Sequence, residues 1–207
     1  MDNTKKYAEL VFATNNKHKL QEVRAALDGQ LRVVGLEEVG LQGEIPETAD
    51  TLEGNALQKA MWVWQRMHAT CFADDTGLEV DALGGAPGVY SARYAGEHCS
   101  FDDNIDKLLS ALAGKDNRKA RFRTVICLIE PTGDDAHPMI SYHTGQVEGL
   151  ILTERHTAGE GFGYDPVFMP DRFAVSFAEM PLEVKNRISH RACAVRELTD
   201  YLTHSKR

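Results

Sequence analysis

A four-residue apolar run, Leu10 to Ala13, ends in the polar turn "TNNK" and gives way to a segment in which Leu20, Val23 and Leu27 share one helical face. So short and unbroken a run reads as a buried strand, and a buried strand feeding an amphipathic helix points to an α/β fold. Gly29 stops that helix, and Leu31 to Leu36 reads as a second strand. Asp50, with Glu53 three residues on, reads as a capping pair that opens a long helix to about Met67, with Leu52, Ala56, Leu57, Ala60, Met61 and Trp64 as its core face. Cys71 to Ala73 is a further strand, followed by a turn and by the alternating Leu78, Val80 and Ala82. Ser100 and Asp103 form a capping box for a helix to Ala113. From Ala120 to Thr153 β-branched and aromatic residues concentrate, which predicts an antiparallel meander with turns at Pro131 to Asp135 and near Gly149. A helix from about Ser189 to Leu202 closes the chain. With no internal repeat and no low-complexity linker, residues 1–207 read as one domain of two lobes sharing one sheet.

Chemistry concentrates at four places. Asp74 and Asp75 end the Cys71 to Ala73 strand, and like charges that close cost free energy unless something positive sits between them. A divalent cation is the usual answer. Magnesium prefers oxygen ligands and takes only one or two protein carboxylates where substrate phosphates supply the rest. Within the set Glu44, Glu47, Glu53, Asp74 and Asp75, a pair such as Asp75 and Glu47 therefore suffices. The plainer role of capping a helix suits Glu53 but not Asp75. In "TNNKHK", Thr14, Asn15, Asn16 and Lys19 surround a helix start whose free N–H groups favour an anion, a phosphate cradle without the P-loop glycine spacing. Lys59 lies in an apolar helix face one turn after Asn55, either running its stem over the core or reaching a functional face. Arg191, beside Ser189 and His190, can fork to a phosphate or a base edge, or pair at the surface with Glu183 or Glu197; Lys185 adds another cation. In "GFGYDP", Gly161 to Pro166, the glycines let backbone approach a ligand, while Phe162 or Tyr164 can stack on a planar base or fill a core turn. These are the parts that a nucleoside triphosphate requires.

The net charge of −8 and pI near 5.5 argue against a nucleic-acid polymer as partner, since such partners call for a basic stripe. Cys71, Cys99, Cys127 and Cys193 form no CxxC pair, which points away from a zinc site or a disulfide framework. The N-terminus carries Asp2 and too short an apolar run for a signal peptide, and no stretch approaches the roughly 20 residues of a membrane span. A cytoplasmic protein with no membrane partner is expected.

The runs "VFATNNKHKLQEV", "TLEGNALQKA", "FADDTGLEVDALGGAPGVYSARYAG", "GFGYDPVF" and "FAEMPLEVKNRISHR", in that order, resemble the inosine triphosphate pyrophosphatase family, the XTP/dITP diphosphatases or Ham1-like proteins. The resemblance implies a homodimeric, magnesium-dependent enzyme that hydrolyses ITP, dITP and XTP to the monophosphate and pyrophosphate. It also implies an α/β architecture of two lobes around a deep central cleft, sharing a long mixed sheet. Carried over by position, Thr14, Asn15, Asn16, Lys17, His18 and Lys19 hold the phosphates. Asp75 is proton acceptor and metal ligand, Thr76 touches substrate, and Lys59 belongs to the reactive centre; the upstream glutamate is taken as Glu47 over Glu44 by its spacing to Glu53. Phe162, Gly163, Tyr164, Asp165, Lys185, His190 and Arg191 surround base and sugar. Where many bacterial relatives carry two adjacent glutamates before the helix asparagine, this chain has Glu53 and Gly54.

Cleavage between the α- and β-phosphates needs a positioned water and neutralisation of the departing pyrophosphate, which magnesium, Lys19 and Lys59 can supply. An aspartate with an ordinary pKa of about 3.9 is a poor base at neutral pH. Asp75 works if Asp74 and burial raise its pKa, or if a metal acidifies the water for it, and the second is favoured. Two other readings are a nucleotide sensor without turnover, which could lose Asp75 or Lys59, and a Maf-like pyrophosphatase for modified pyrimidines, against which "SHR" and "GFGYD" stand.

Overall fold

The computed structural model describes residues 9–27, 31–156 and 162–204; Gly29, expected to stop the first helix, and Gly161 of the glycine-rich turn lie outside the described residues. Along the chain the elements are β1 (Leu10–Phe12), α1 (Lys17–Leu27), β2 (Val33–Gly35), α2 (Leu52–Met67), β3 (Cys71–Val80), β4 (Pro87–Gly88), α3 (Phe101–Ala111), β5 (Lys119–Glu130), β6 (Met139–Ile151), β7 (Phe168–Pro170), α4 (Leu182–Ile188) and α5 (His190–His204). The fold is α/β. Its strands form one long mixed sheet in the order β2-β1-β3-β5-β6-β7, with β4 pairing β3 off that path. β1 runs parallel to β2 and β3, whereas β3 with β4 and β6 with β7 are antiparallel. Two compact units divide the chain, one of residues 1–75, 124–145 and 191–207, the other of 76–123 and 146–190.

In the first unit, successive strand residues point to opposite sides of the sheet, so each side of β1 and β3 needs its own cover. Leu10, Phe12 and Phe72 pack with Val23 and Leu27 of α1 and Val195 and Leu198 of α5. The rings of Phe12 and Phe72 stack at 4.6 Å. Val11, Ala13, Cys71 and Ala73 pack with Ala56, Ala60, Val63 and Trp64 of α2. Burial on both sides is why these strands read as continuous apolar runs. α2 opens differently from expectation: Thr51, not Asp50, is the N-cap, its hydroxyl accepting from the Gly54 amide. With glycine three residues after the cap there is no acidic side chain to complete a capping box. The buried face of α2 includes Val63, Asn55 and Lys59, while Leu57 and Met61 are only half-buried.

The second unit has a core of Leu78 and Val80 with Ile105, Leu108 and Leu112 around Phe122, Phe168 and Phe177. The capping box of α3 forms as expected, Ser100 and Asp103 each accepting from the other's backbone. Gly149, expected near a turn, lies inside β6. A Cβ there would collide with the Met169 carbonyl of β7, so this glycine serves close strand approach. The expected strand at Leu31 to Leu36 is shorter, Val33–Gly35, and α4 precedes a final helix that begins at His190.

Candidate active site

The expected strand end at Ala73 does not exist. β3 continues through Asp74 and Asp75 to Val80, without a turn. Strand alternation therefore sends the two neighbouring carboxylates to opposite sides of the sheet, and each meets its own cations. Asp74 follows Phe72 toward α1 and α5. It is 2% exposed and accepts from Lys19 Nζ at 3.0 Å and from Arg191 Nε at 3.2 Å. Arg191 also donates to Glu22 of α1. Asp75 follows Ala73 toward α2. It accepts from Asn55 Nδ2 at 3.0 Å, and Lys59 Nζ stands 3.5 Å from its Oδ1. The same Lys59 ammonium lies 2.5 Å from Glu47 Oε1, and the Asn55 carbonyl oxygen accepts from the Ala49 amide at 2.9 Å.

Environment separates the two aspartates further. Burial opposes ionisation of Asp74, yet Lys19, Arg191 and Lys59 outweigh it and hold its carboxyl well below the usual range. For Asp75 burial prevails over Lys59, Lys19 and the Asn55 hydrogen bond, and its pKa is raised. Burial pulls the Lys59 ammonium down, but Asp75, Asp74 and Glu47 together raise it, so it stays charged. Lys19 is lowered, burial outweighing the attraction of Asp74.

The segment Thr14 to Lys19 forms the expected strand-to-helix turn, but its helix amides are not free. Asn16 Oδ1 accepts from the His18 and Lys19 amides at 3.0 and 3.1 Å, and Thr14 Oγ1 accepts from the Asn16 amide. Asn15 donates to the Gly43 carbonyl. A cavity of about 310 Å³ opens against Thr14, Asn15, Asn16 and Lys17, bounded on its other side by Arg24, Glu37 and Glu38. Charges of both signs rim it, and none of Lys19, Asp74 and Asp75 lines it. In the first unit, then, the structure gathers these residues in two ion-paired groups, Lys19 and Arg191 on Asp74, and Glu47 and Asp75 on Lys59. The sequence reading placed Asp74 in the acidic set but not as the anchor of Lys19 and Arg191, and it did not name Glu22, a partner of Arg191. The adjacency of Asp74 to Asp75 was the one signal that could have found the former. Arg191 pairs with Asp74 and Glu22.

The remaining candidates belong to the second unit. Asp165 is buried and accepts at one oxygen from Lys185 Nζ at 2.5 Å and from the Phe162 amide at 2.9 Å. Tyr164 is 4% exposed and donates to the Ser91 carbonyl at 2.9 Å, which makes it a core residue, whereas Phe162 is 43% exposed. Gly163 takes the left-handed backbone, φ 60°, that the turn between them requires. The His190 ring is buried and stacks on Phe122 at 4.7 Å, and Thr76 is half-buried on β3.

Residues 10–201 match the Ham1 family. A dITP/XTP pyrophosphatase of Porphyromonas gingivalis is 55% identical over 96% of this chain and 99% of its own length. One from Flavobacterium johnsoniae is 51% identical over 96% and 100%. Among solved structures, the Ham1 protein of Staphylococcus aureus is 36% identical and superposes with a TM-score of 0.84, covering 96% of this chain and 100% of its own. A HAM1 protein of Coxiella burnetii is 37% identical with a TM-score of 0.83 over 94% and 98%. With a family match over almost the whole chain, and with relatives 55% and 51% identical along nearly all of their own length, this chain belongs to the Ham1 family.

Proposed function

We propose that this protein hydrolyses dITP, XTP and ITP to the nucleoside monophosphate and pyrophosphate, residues 1–207 acting as one such domain in a cytoplasmic homodimer. The observation that carries the reading is the buried, ion-paired Asp75, with Asn55, Lys59 and Glu47 arranged around it. Asp75 accepts the proton of the attacking water: burial raises its basicity, and the Asn55 amide fixes which oxygen lone pairs are left to use. Lys59 stays charged at the same point and stabilises negative charge that develops on the leaving phosphate oxygens. Lys19, steadied by Asp74, is the cation for the phosphate chain.

Magnesium fits this donor set. Four carboxylates, Glu22, Glu47, Asp74 and Asp75, meet the three cations Lys19, Lys59 and Arg191 in these ion pairs. When all are ionised, one negative charge is left for a further cation to balance, and it lies with Glu47 and Asp75, two hard oxygen donors that share the single ammonium of Lys59. These two residues would hold the ion, which when bound neutralises phosphate charge and acidifies a water. In the second unit, Phe162 is the ring available to the base, and Asp165 with Lys185 holds its backbone.

The test is a panel of ITP, dITP, XTP, ATP and GTP with and without magnesium, followed by phosphorus NMR. Pyrophosphate and monophosphate should appear from the first three and only with the metal. Stepwise release of single phosphates would overturn the assignment.

A further inference from the structure

We propose that Phe101, at the first turn of α3, is a positioning residue for nucleobase recognition: it holds the ring of Phe162 in the orientation that a planar base meets. The inference rests on the reading of Phe162 as the base-stacking ring.

Phe101 is 48% exposed, an unusual situation for phenylalanine on a helix with its own buried face of Ile105 and Leu108. Its ring centroid lies 4.6 Å from that of Phe162 at an interplanar angle of 63°. Both rings are partly exposed, and the edge-to-face contact restricts the rotation of both. Neither position is accidental. The Ser100 and Asp103 capping box fixes the start of α3. Arg155 donates to Asp102 Oδ1 at 2.6 Å and lies 2.5 Å from Asp106 Oδ1, tying the same turn to the segment after β6. On the other side the Phe162 amide is held by Asp165, and Asp165 by Lys185. The backbones of both phenylalanines are thus fixed by polar contacts, and the side chains brace one another in water.

An exposed ring without a brace samples several rotamers, and a base that stacks on it has to order it first. Immobilising one such side chain lowers affinity by roughly three- to tenfold. Phe101 removes that cost before the nucleotide arrives. The contacts of Asp75 with Asn55 and Lys59, and of Lys59 with Glu47, do not involve Phe101, so its loss is expected to leave the chemical step untouched.

The experiment is steady-state kinetics on ITP for Phe101→Ala, Phe101→Tyr and Phe162→Ala, with inhibition by inorganic pyrophosphate and a thermal melt on each. Phe101→Ala should raise KM by about three- to tenfold, with kcat, the pyrophosphate inhibition constant and the melting temperature unchanged. Phe101→Tyr, which keeps the ring, should restore KM. An unchanged KM in Phe101→Ala beside a raised KM in Phe162→Ala overturns this inference and leaves the reading of Phe162 standing. If Phe162→Ala itself leaves KM unmoved, the base-stacking reading falls and this inference falls with it. A loss of kcat or of melting temperature that tyrosine does not restore would make Phe101 a fold residue.

Discussion

Asp74 and Asp75 are consecutive and chemically identical, yet the pleat of β3 gives them separate duties. Asp75→Asn keeps the shape of the side chain and its contact with Asn55 but removes the carboxylate proposed as the proton acceptor. The expected outcome is a fall in kcat of about 10²- to 10⁴-fold with nucleotide binding retained, measured by rapid quench and by equilibrium titration. A near-normal rate would reduce Asp75 to a partner for Lys59. Asp74→Asn instead strands Lys19 and Arg191 without their shared anion, and breaking a buried pair from one side costs about 3–5 kcal/mol. Its acid dependence follows from the depressed folded pKa. The stabilisation by Asp74 is fully present above the unfolded carboxylate value of about 3.9 and is lost as pH falls through the lower folded value. Urea midpoints of Asp74→Asn should therefore be well below those of the native protein at pH 7 and converge toward them below about pH 4. Parallel curves over the whole range would mean that the clamp contributes nothing.

At the level of elements, α2 illustrates how a local motif and a tertiary contact compete. Replacing Gly54 by alanine would favour a helix by about 1 kcal/mol on intrinsic propensity. Here an added Cβ would lie 2.6 Å from the Ala49 Cβ. Ala49 cannot retreat without disturbing the hydrogen bond that its N–H donates to Asn55 Oδ1, and the Nδ2 of that side chain holds Asp75. Gly54→Ala is accordingly expected to lower both melting temperature and kcat/KM, and a raised melting temperature with intact activity would show that the preceding loop yields freely. The cap itself was misread from sequence by one residue, because Asp50 and Thr51 are both good N-caps and only the path of the chain into the helix decides which side chain turns back. β3 was misread for a related reason. Two acidic residues interrupt the apolar pattern that marks a strand, and the cations that make their burial tolerable, Lys19, Lys59 and Arg191, come from α1, α2 and α5.

For the whole molecule, the thiols report where cooperative unfolding is needed. Cys71 and Cys127 are fully buried in the core against α2, and burial pushes both thiols up to about 12. Cys99 and Cys193 are half-buried. Ellman's reagent at pH 8 should titrate the latter pair in the native protein and reach Cys71 and Cys127 only with global unfolding, at a rate that follows loss of circular dichroism. Early reaction at Cys71 would mean that the cover provided by α2 opens on its own.

The amino-acid sequence by itself determined what depends on near neighbours: the apolar runs of β1 and β3, the helical face of α1, the capping box of α3, and the motif order that marks the family. Those signals are local, since hydrophobic periodicity and caps act over a few residues. Only the tertiary structure decided which carboxylate meets which cation, because Lys19 and Asp74 are 55 positions apart and Arg191 and Asp74 are 117 apart. It also set the exposure of the two aromatic candidates, burying Tyr164 against the Ser91 carbonyl and leaving Phe162 exposed beside Phe101. The physical reason is the same in each case: a side chain's direction follows from its own backbone, but its charge state and its exposure follow from groups that the chain brings from elsewhere.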